Sequence, residues 1–178
     1  MAEYSKKYII TGAPGTGKTT LIKDLEKEFP CMHEVSRKVI LKEQENGGDA
    51  MPWQDLEKFV ALVYDAFIIK LDLNPKALFT DRSILDLIAY LRLDGKTIPQ
   101  QLDTFPYLDK FHRKVFFAPV WEAIYQKDSQ RLQDFDHCVA LEKALVNIYR
   151  EKGFEVVRLP EDTVGKRIRF IYENLNQV

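Results

Sequence analysis

The sequence predicts an α/β fold, a five-stranded parallel sheet with helices on both faces. Three observations lead to it. Five short apolar runs are spread along the 178 residues, the stretches between them carry helical periodicity, and a glycine-rich segment joins the first run to the first helix. Strands covered on both faces read as short continuous apolar runs, and strands that alternate with helices build a layered parallel sheet.

In chain order the expected strands are Lys7–Thr11 (KYIIT), Cys31–Val35 (CMHEV), Ala77–Thr80 (ALFT), Lys114–Phe117 (KVFF) and Phe154–Leu159 (FEVVRL), rich in β-branched and aromatic residues. The first helix is expected to follow Lys18 and to end near Phe29-Pro30. The second runs from about Ser36 to Gln44 and stops at Asn46-Gly47-Gly48. The third runs from Pro52, a residue suited to a first helical turn, to about Leu73. Its apolar residues form two stripes, Trp53, Leu56, Val60, Val63 and Phe67 beside Phe59, Leu62, Ala66, Ile69 and Leu73. An arc that wide predicts a helix buried between the sheet and other helices. Further helices are expected over Ser83–Leu93, Trp121–Leu132, Asp136–Lys152 and Thr163–Asn176. No internal repeat or low-complexity tract interrupts the pattern, so residues 1–178 read as one domain.

Composition narrows the function classes. Apolar residues make up 46% and charged residues 30%, and the formal net charge is −1, so no global basic field draws the chain to a polynucleotide or to anionic lipid. Cys31 and Cys138 form no CxxC pair and read as reduced core thiols. The first seven residues hold no apolar signal region, and the stretch from Trp53 to Leu73 is interrupted by six charges, so no membrane span is expected. A cytoplasmic location is the expectation.

The segment Gly12-Ala13-Pro14-Gly15-Thr16-Gly17-Lys18-Thr19 matches G-x-x-x-x-G-K-[ST], with Thr20 following. Each residue type has a physical reason. Glycines admit positive φ and let backbone N–H groups converge on a phosphate, and the helix beginning at Lys18 aims its positive end at the same anion. Lys18 supplies a mobile ammonium for the β/γ oxygens, and the Thr19 hydroxyl ligates Mg²⁺. The four fixed positions arise by chance in roughly one chain of this length in two hundred at average residue frequencies. A strand before and a helix after make chance rarer still. The reading is a P-loop NTPase three-layer sandwich binding ATP and Mg²⁺ through residues 12–20.

Ligands of parallel sheets lie beyond the carboxyl ends of the strands, so the residues there come next. Asp81 follows the third apolar run, the place of an acid that holds Mg²⁺; otherwise it caps the next helix, a role Ser83 can also fill. Arg82 either contacts phosphate or pairs with Glu34. Glu34 ends the second run, where it can take the proton of an acceptor hydroxyl and orient it for in-line attack, or else pair with Arg37 at i,i+3. His33 is out of phase with Glu34 and reads as a bystander. The segment 119–134 carries Lys127 and Arg131 and reads either as a lid whose arginine reaches the transferred phosphate or as a solvated helix face.

YIITGAPGTGKTTLIKDL, EVSR, TDRS and the terminal EKGFEVVRLPEDTVGKRIRFIYENL together resemble the small P-loop family that includes the ribosylnicotinamide kinase domain of NadR, often described as an AAA-type ATPase/kinase involved in NAD metabolism. The resemblance runs from Tyr8 to about Leu175. It implies strand order 2-3-1-4-5, with Asp81 beside the phosphate loop and Glu34 one strand further out. It also implies that Pro160 to Thr163 flank the nucleotide base. No HxGH motif is present, so the nucleotidyltransferase half of NadR is not expected.

The expected function is transfer of the ATP γ-phosphate to a small, nucleoside-like acceptor, with Lys18, Glu34, Asp81, Arg82 and Arg131 carrying the chemistry. The alternative is a nucleotide-dependent switch or interaction module without an acceptor; the absence of an NKxD-type segment weighs against its GTPase form. Acceptor identity and oligomeric state do not follow from spacing.

Overall fold

In a computed structural model that describes residues 6–124 and 135–175, five strands lie parallel in the order β2-β3-β1-β4-β5, as expected. They are β1 (Lys7–Thr11), β2 (Cys31–Met32), β3 (Phe79–Asp81), β4 (Phe111–Phe117) and β5 (Glu155–Arg158). All five residues of β1, the central strand, are buried, and strand parity divides the core. Tyr8, Ile10 and Phe116 face one side with Leu21, Ile22 and Leu25 of α1 (Lys18–Leu25) and Ile168 and Ile171 of α8 (Val164–Asn174). Ile9, Val115 and Phe117 face the other, against α3 (Leu56–Leu73), α4 (Leu85–Leu93) and α7 (Phe135–Glu151). α2 (Ser36–Asn46) adds Ile40 to this second layer. Each large apolar side chain buried this way contributes about 1.5–3 kcal/mol.

Only β1 keeps its expected bounds: β3 starts two residues late and takes in Asp81, β5 loses one residue at each end, and β2 and β4 differ most. β2 pairs only at Cys31 and Met32, rather than through Val35. Beyond Met32 the chain leaves the ladder: the His33 carbonyl accepts from Lys70 Nζ (2.6 Å), and Val35 already has helical angles. β4 begins three residues early, at Phe111. Its polar residues are accommodated individually: His112 stacks on Tyr8 (centroids 3.9 Å apart), and Arg113 donates to the Gly153 carbonyl (2.9 Å).

The helices also shift. α1 ends at Leu25, with turns leading to Phe29. α3 begins at Leu56 because Asp55 caps it, accepting from the Lys58 amide at 3.0 Å; Pro52 stays in the preceding turn. The buried face mixes the two expected stripes: Leu56, Val60, Val63 and Phe67 are buried together with Phe59, whereas Leu62, Ile69 and Leu73 are 41%, 61% and 75% exposed. The apolar arc exceeds the face that packs. α4 starts at Leu85 after a turn in which Ser83 Oγ accepts from the Leu85 amide. Two one-turn helices, α5 (Gln100–Asp103) and α6 (Tyr107–Lys110), were not expected. In the stretch Trp121–Leu132, Trp121 is not helical and Glu122–Ile124 form a single 3₁₀ turn; the rest lies outside the described residues. Among the described residues no helix is long and apolar enough to cross a membrane. Neither Cys31 nor Cys138 is in a disulfide, and Cys138 is buried.

Candidate active site

The segment after β1 forms a cradle. Gly12 has φ +146°, and a Cβ there would sit 2.2 Å from the Ala118 carbonyl oxygen at the end of β4, so no side chain fits. Gly15 and Gly17 have φ +80° and +79°, and Gly17 is the N-cap of α1. No side chain caps α1 and no acid occupies its first turn, so its opening amides are left for an anion. Lys18 is buried and curls back over the loop, donating to the Ala13 carbonyl (2.6 Å) and to Thr16 Oγ1 (3.1 Å). Burial and then neighbouring Arg82 push its ammonium down to about 7, against the opposing pull of Asp81, Glu34 and Asp86. A phosphate anion beside it would restore the charged form. Thr19 and Thr20 follow on the first turn of α1.

Asp81 ends β3, in register with Ile10 of β1, and is 3% exposed. It does not cap α4; Ser83 takes the Leu85 amide. Its Oδ1 is buried without a hydrogen-bond partner. Burial, reinforced by Glu34, raises its carboxyl to about 6 despite Lys18 and Arg82. An unpaired buried carboxylate oxygen is costly, and one beside a phosphate cradle fits a divalent cation.

Arg82 sits at φ +68°, a conformation that costs a non-glycine residue of order 1–3 kcal/mol and is kept where the surroundings over-determine it. Its amide donates to the Ile10 carbonyl (2.9 Å), and its own carbonyl accepts from Thr80 Oγ1 (2.9 Å). Its side chain reaches across the loop: Nε to Glu34 Oε1 (3.0 Å), Nη1 to the Gly12 carbonyl (3.0 Å) and to Asp86 Oδ2 (2.9 Å). The pairing with Glu34 is therefore present, and it is largely buried. Glu34, freed from the ladder by the shortness of β2, also accepts from Ser36 Oγ and has Arg37 Nε 3.8 Å from Oε2. Burial pushes its carboxyl up, but Arg82, Ser36, Lys18 and Arg37 outweigh it and hold it below the usual carboxylate range. His33 lies aside, paired with Glu26.

These groups share one cavity of about 580 Å³. The phosphate loop, Glu34, Asp81 and Arg82 line it, and so do Ile40, Trp53, Phe59, Val63, Phe67, Leu87 and Tyr90 from the layer beyond β2. At the other side Asp162, Thr163, Val164 and Arg167 contribute, next to where the loop after β5 was expected to flank a base. Lys127 and Arg131 of the expected lid lie outside the described residues. A family model described as an AAA domain matches residues 7–167. The chain belongs to this AAA domain family.

Solved structures of similar fold come from kinases. Deoxyadenosine kinase from M. mycoides with bound dATP superposes with a TM-score of 0.69 at 17% identity, over 97% of this chain and 100% of that one. Thymidylate kinase from Candida albicans gives 0.65 at 15% identity, over 97% and 92%. The NadR protein in complex with NR gives 0.64 at 18%, over 96% of this AAA domain chain and 50% of NadR. No curated protein matches the chain. At these identities what is shared is the fold, a P-loop kinase-like sandwich of the kind the resemblance to NadR implied.

In this AAA domain three site residues escaped the sequence reading. Asp86 is buried on α4 and accepts from Thr11 Oγ1 (2.6 Å), Arg82 and Tyr149 Oη (2.6 Å). Tyr149 of α7 also meets Ser83 Oγ (2.8 Å). Arg167 of α8 is 3% exposed and donates from Nη1 to the Thr16 carbonyl (3.0 Å), which pins the loop from 151 positions away. The spacing of Asp86, four after Arg82 inside an apolar helix, was the one available signal.

Proposed function

We propose that this protein is a small-molecule kinase that transfers the γ-phosphoryl of ATP to a hydroxyl of a nucleoside-like acceptor. The observation that carries the proposal is convergence: Glu34, Asp81 and Arg82, from the ends of two neighbouring strands, line the same cavity as the phosphate cradle and an apolar pocket. The kinase names of the solved structures with this fold support the reaction class.

The residues fit a nucleotide with Mg²⁺. The backbone N–H groups of residues 15–19 and the Lys18 ammonium would hold the phosphates, while Thr19 and the unpaired Oδ1 of Asp81 would hold the cation. Bound Mg²⁺ would neutralise charge on the β- and γ-phosphate oxygens. Glu34, ionised at neutral pH because of its cationic neighbours, orients the acceptor hydroxyl and takes its proton. Arg82 stabilises the charge on the moving phosphoryl group. Arg131 is part of the same proposal as the lid residue that reaches this group, and Arg131→Ala tests it by a fall in kcat.

One observation favours the alternative, a nucleotide switch without an acceptor: both Glu34 oxygens already face cations, as in a structural brace for Arg82. Incubation with Mg²⁺, ATP and a nucleoside panel that includes nicotinamide riboside separates the two. Phosphorylated product, lost in Glu34→Gln with ATP binding retained, supports the kinase. Normal ATP binding with no product from any acceptor refutes it.

A further inference from the structure

Arg82 carries five N–H donors in a rigid plane. Nε is taken by Glu34, and Nη1 divides between the Gly12 carbonyl and Asp86. No hydrogen bond from the described residues engages Nη2, so it is the donor left for a ligand in the cavity that Arg82 lines. Which donor is left depends on Asp86. An arginine with one hydrogen-bonded carboxylate settles into a two-pronged fork with it. Without Asp86 that carboxylate is Glu34, and a full fork would consume both the phosphoryl donor and the acceptor's proton acceptor.

Asp86 is itself fixed from two directions. Thr11, the last residue of β1 before the phosphate loop, donates to Oδ2, and Tyr149 donates to Oδ1 from α7. The guanidinium is thus referenced to the strand that carries the loop. The strained backbone of Arg82, held at φ +68°, is a conformation that persists where the surroundings over-determine the residue.

We propose that Asp86, braced by Thr11 and Tyr149, is the positioning residue that aims Arg82 at the transferring phosphoryl group. This rests on the phosphoryl-transfer reading above. The test measures binding of Mg²⁺–ADP with and without aluminium fluoride, which mimics the phosphoryl group in flight and needs no acceptor. Asp86→Asn should weaken the aluminium fluoride complex by about tenfold or more, while ADP affinity stays within about threefold. Tyr149→Phe, which keeps the ring packed on Phe154, should show a smaller loss of the same kind.

A double variant decides whether Asp86 acts through Arg82. Asp86→Asn combined with Arg82→Lys should lose no more than Arg82→Lys alone. Additive losses, equal losses with and without aluminium fluoride, or no loss in Asp86→Asn would each overturn the proposal. Failure of the kinase reading is registered separately, as absence of phosphorylated product from the wild-type protein across the nucleoside panel.

Discussion

Asp81→Asn should stabilise the nucleotide-free protein while it weakens nucleotide binding. The amide keeps the size of the side chain and removes a charge that the fold holds at a cost. Burial and Glu34 raise the carboxyl from its ordinary 3.8 to about 6. At about 1.4 kcal/mol per pH unit, ionised Asp81 costs the folded state roughly 3 kcal/mol at neutral pH. The sign follows from linkage: between these values the folded chain binds more protons than the unfolded one. The group's stabilising contribution is therefore full below about pH 4 and lost as pH rises through about 6. The amide still needs a partner, and Lys18 loses an anion, so a net gain of about 1–2 kcal/mol is expected, or about 2–8 °C in Tm for a chain of this size. Calorimetric melting of the nucleotide-free protein at pH 7.5 and pH 4.5 reads this directly. The gain should appear at pH 7.5 and shrink at pH 4.5, and titration with ATP should show that Mg²⁺ no longer tightens binding. A lower Tm at pH 7.5, or an unchanged effect of Mg²⁺, would refute the assignment of Asp81 as a cation-holding acid.

Gly12→Ala should abolish nucleotide binding and destabilise the fold by about 1–3 kcal/mol, since its Cβ meets backbone at Ala118; denaturant unfolding and ATP titration check both. Ile69→Ser should change stability by less than about 0.5 kcal/mol, whereas Phe67→Ala on the same helix should cost about 3–5 kcal/mol, as urea unfolding will show. The pocket proposed for the acceptor has Ile40, Phe59, Val63, Phe67 and Leu87 in its wall, and no Asn or Gln side chain among the described residues that line it. Apolar pockets discriminate by about 10–200-fold, so kcat/KM across nucleosides with different bases should stay within that range.

The glycine-rich loop was legible because it is local. Nine consecutive residues, 12–20, fix loop, helix start and lysine together, and their geometry depends on little beyond the flanking strand. The apolar runs likewise announced all five strands, because parallel strands covered on both faces have no polar alternation to obscure them. The rest of the cavity depends on contacts across long separations: Arg82 meets Glu34 over 48 positions and Gly12 over 70, and Tyr149 meets Asp86 over 63. Periodicity carries no such information. Asp86 looked like one more acid on a helix, and Arg167 like one more cation. Leu62, Ile69 and Leu73 of α3, left exposed, show the opposite limit: apolar spacing records what a helix can bury, while its neighbours decide what it does bury.

The two-rung attachment of β2 has a consequence for how such a protein changes over time. The phosphate cradle hangs from the central strand, clamped on both sides by β3 and β4, whereas Glu34 hangs from an edge that leaves the sheet after two residues. On the kinase reading proposed for it, drift in the helices behind Glu34 can reshape what is accepted without disturbing what is donated. One half of the cavity is anchored and the other is free to be re-cut, so on that reading descendants of this chain would diverge in acceptor long before they diverged in nucleotide.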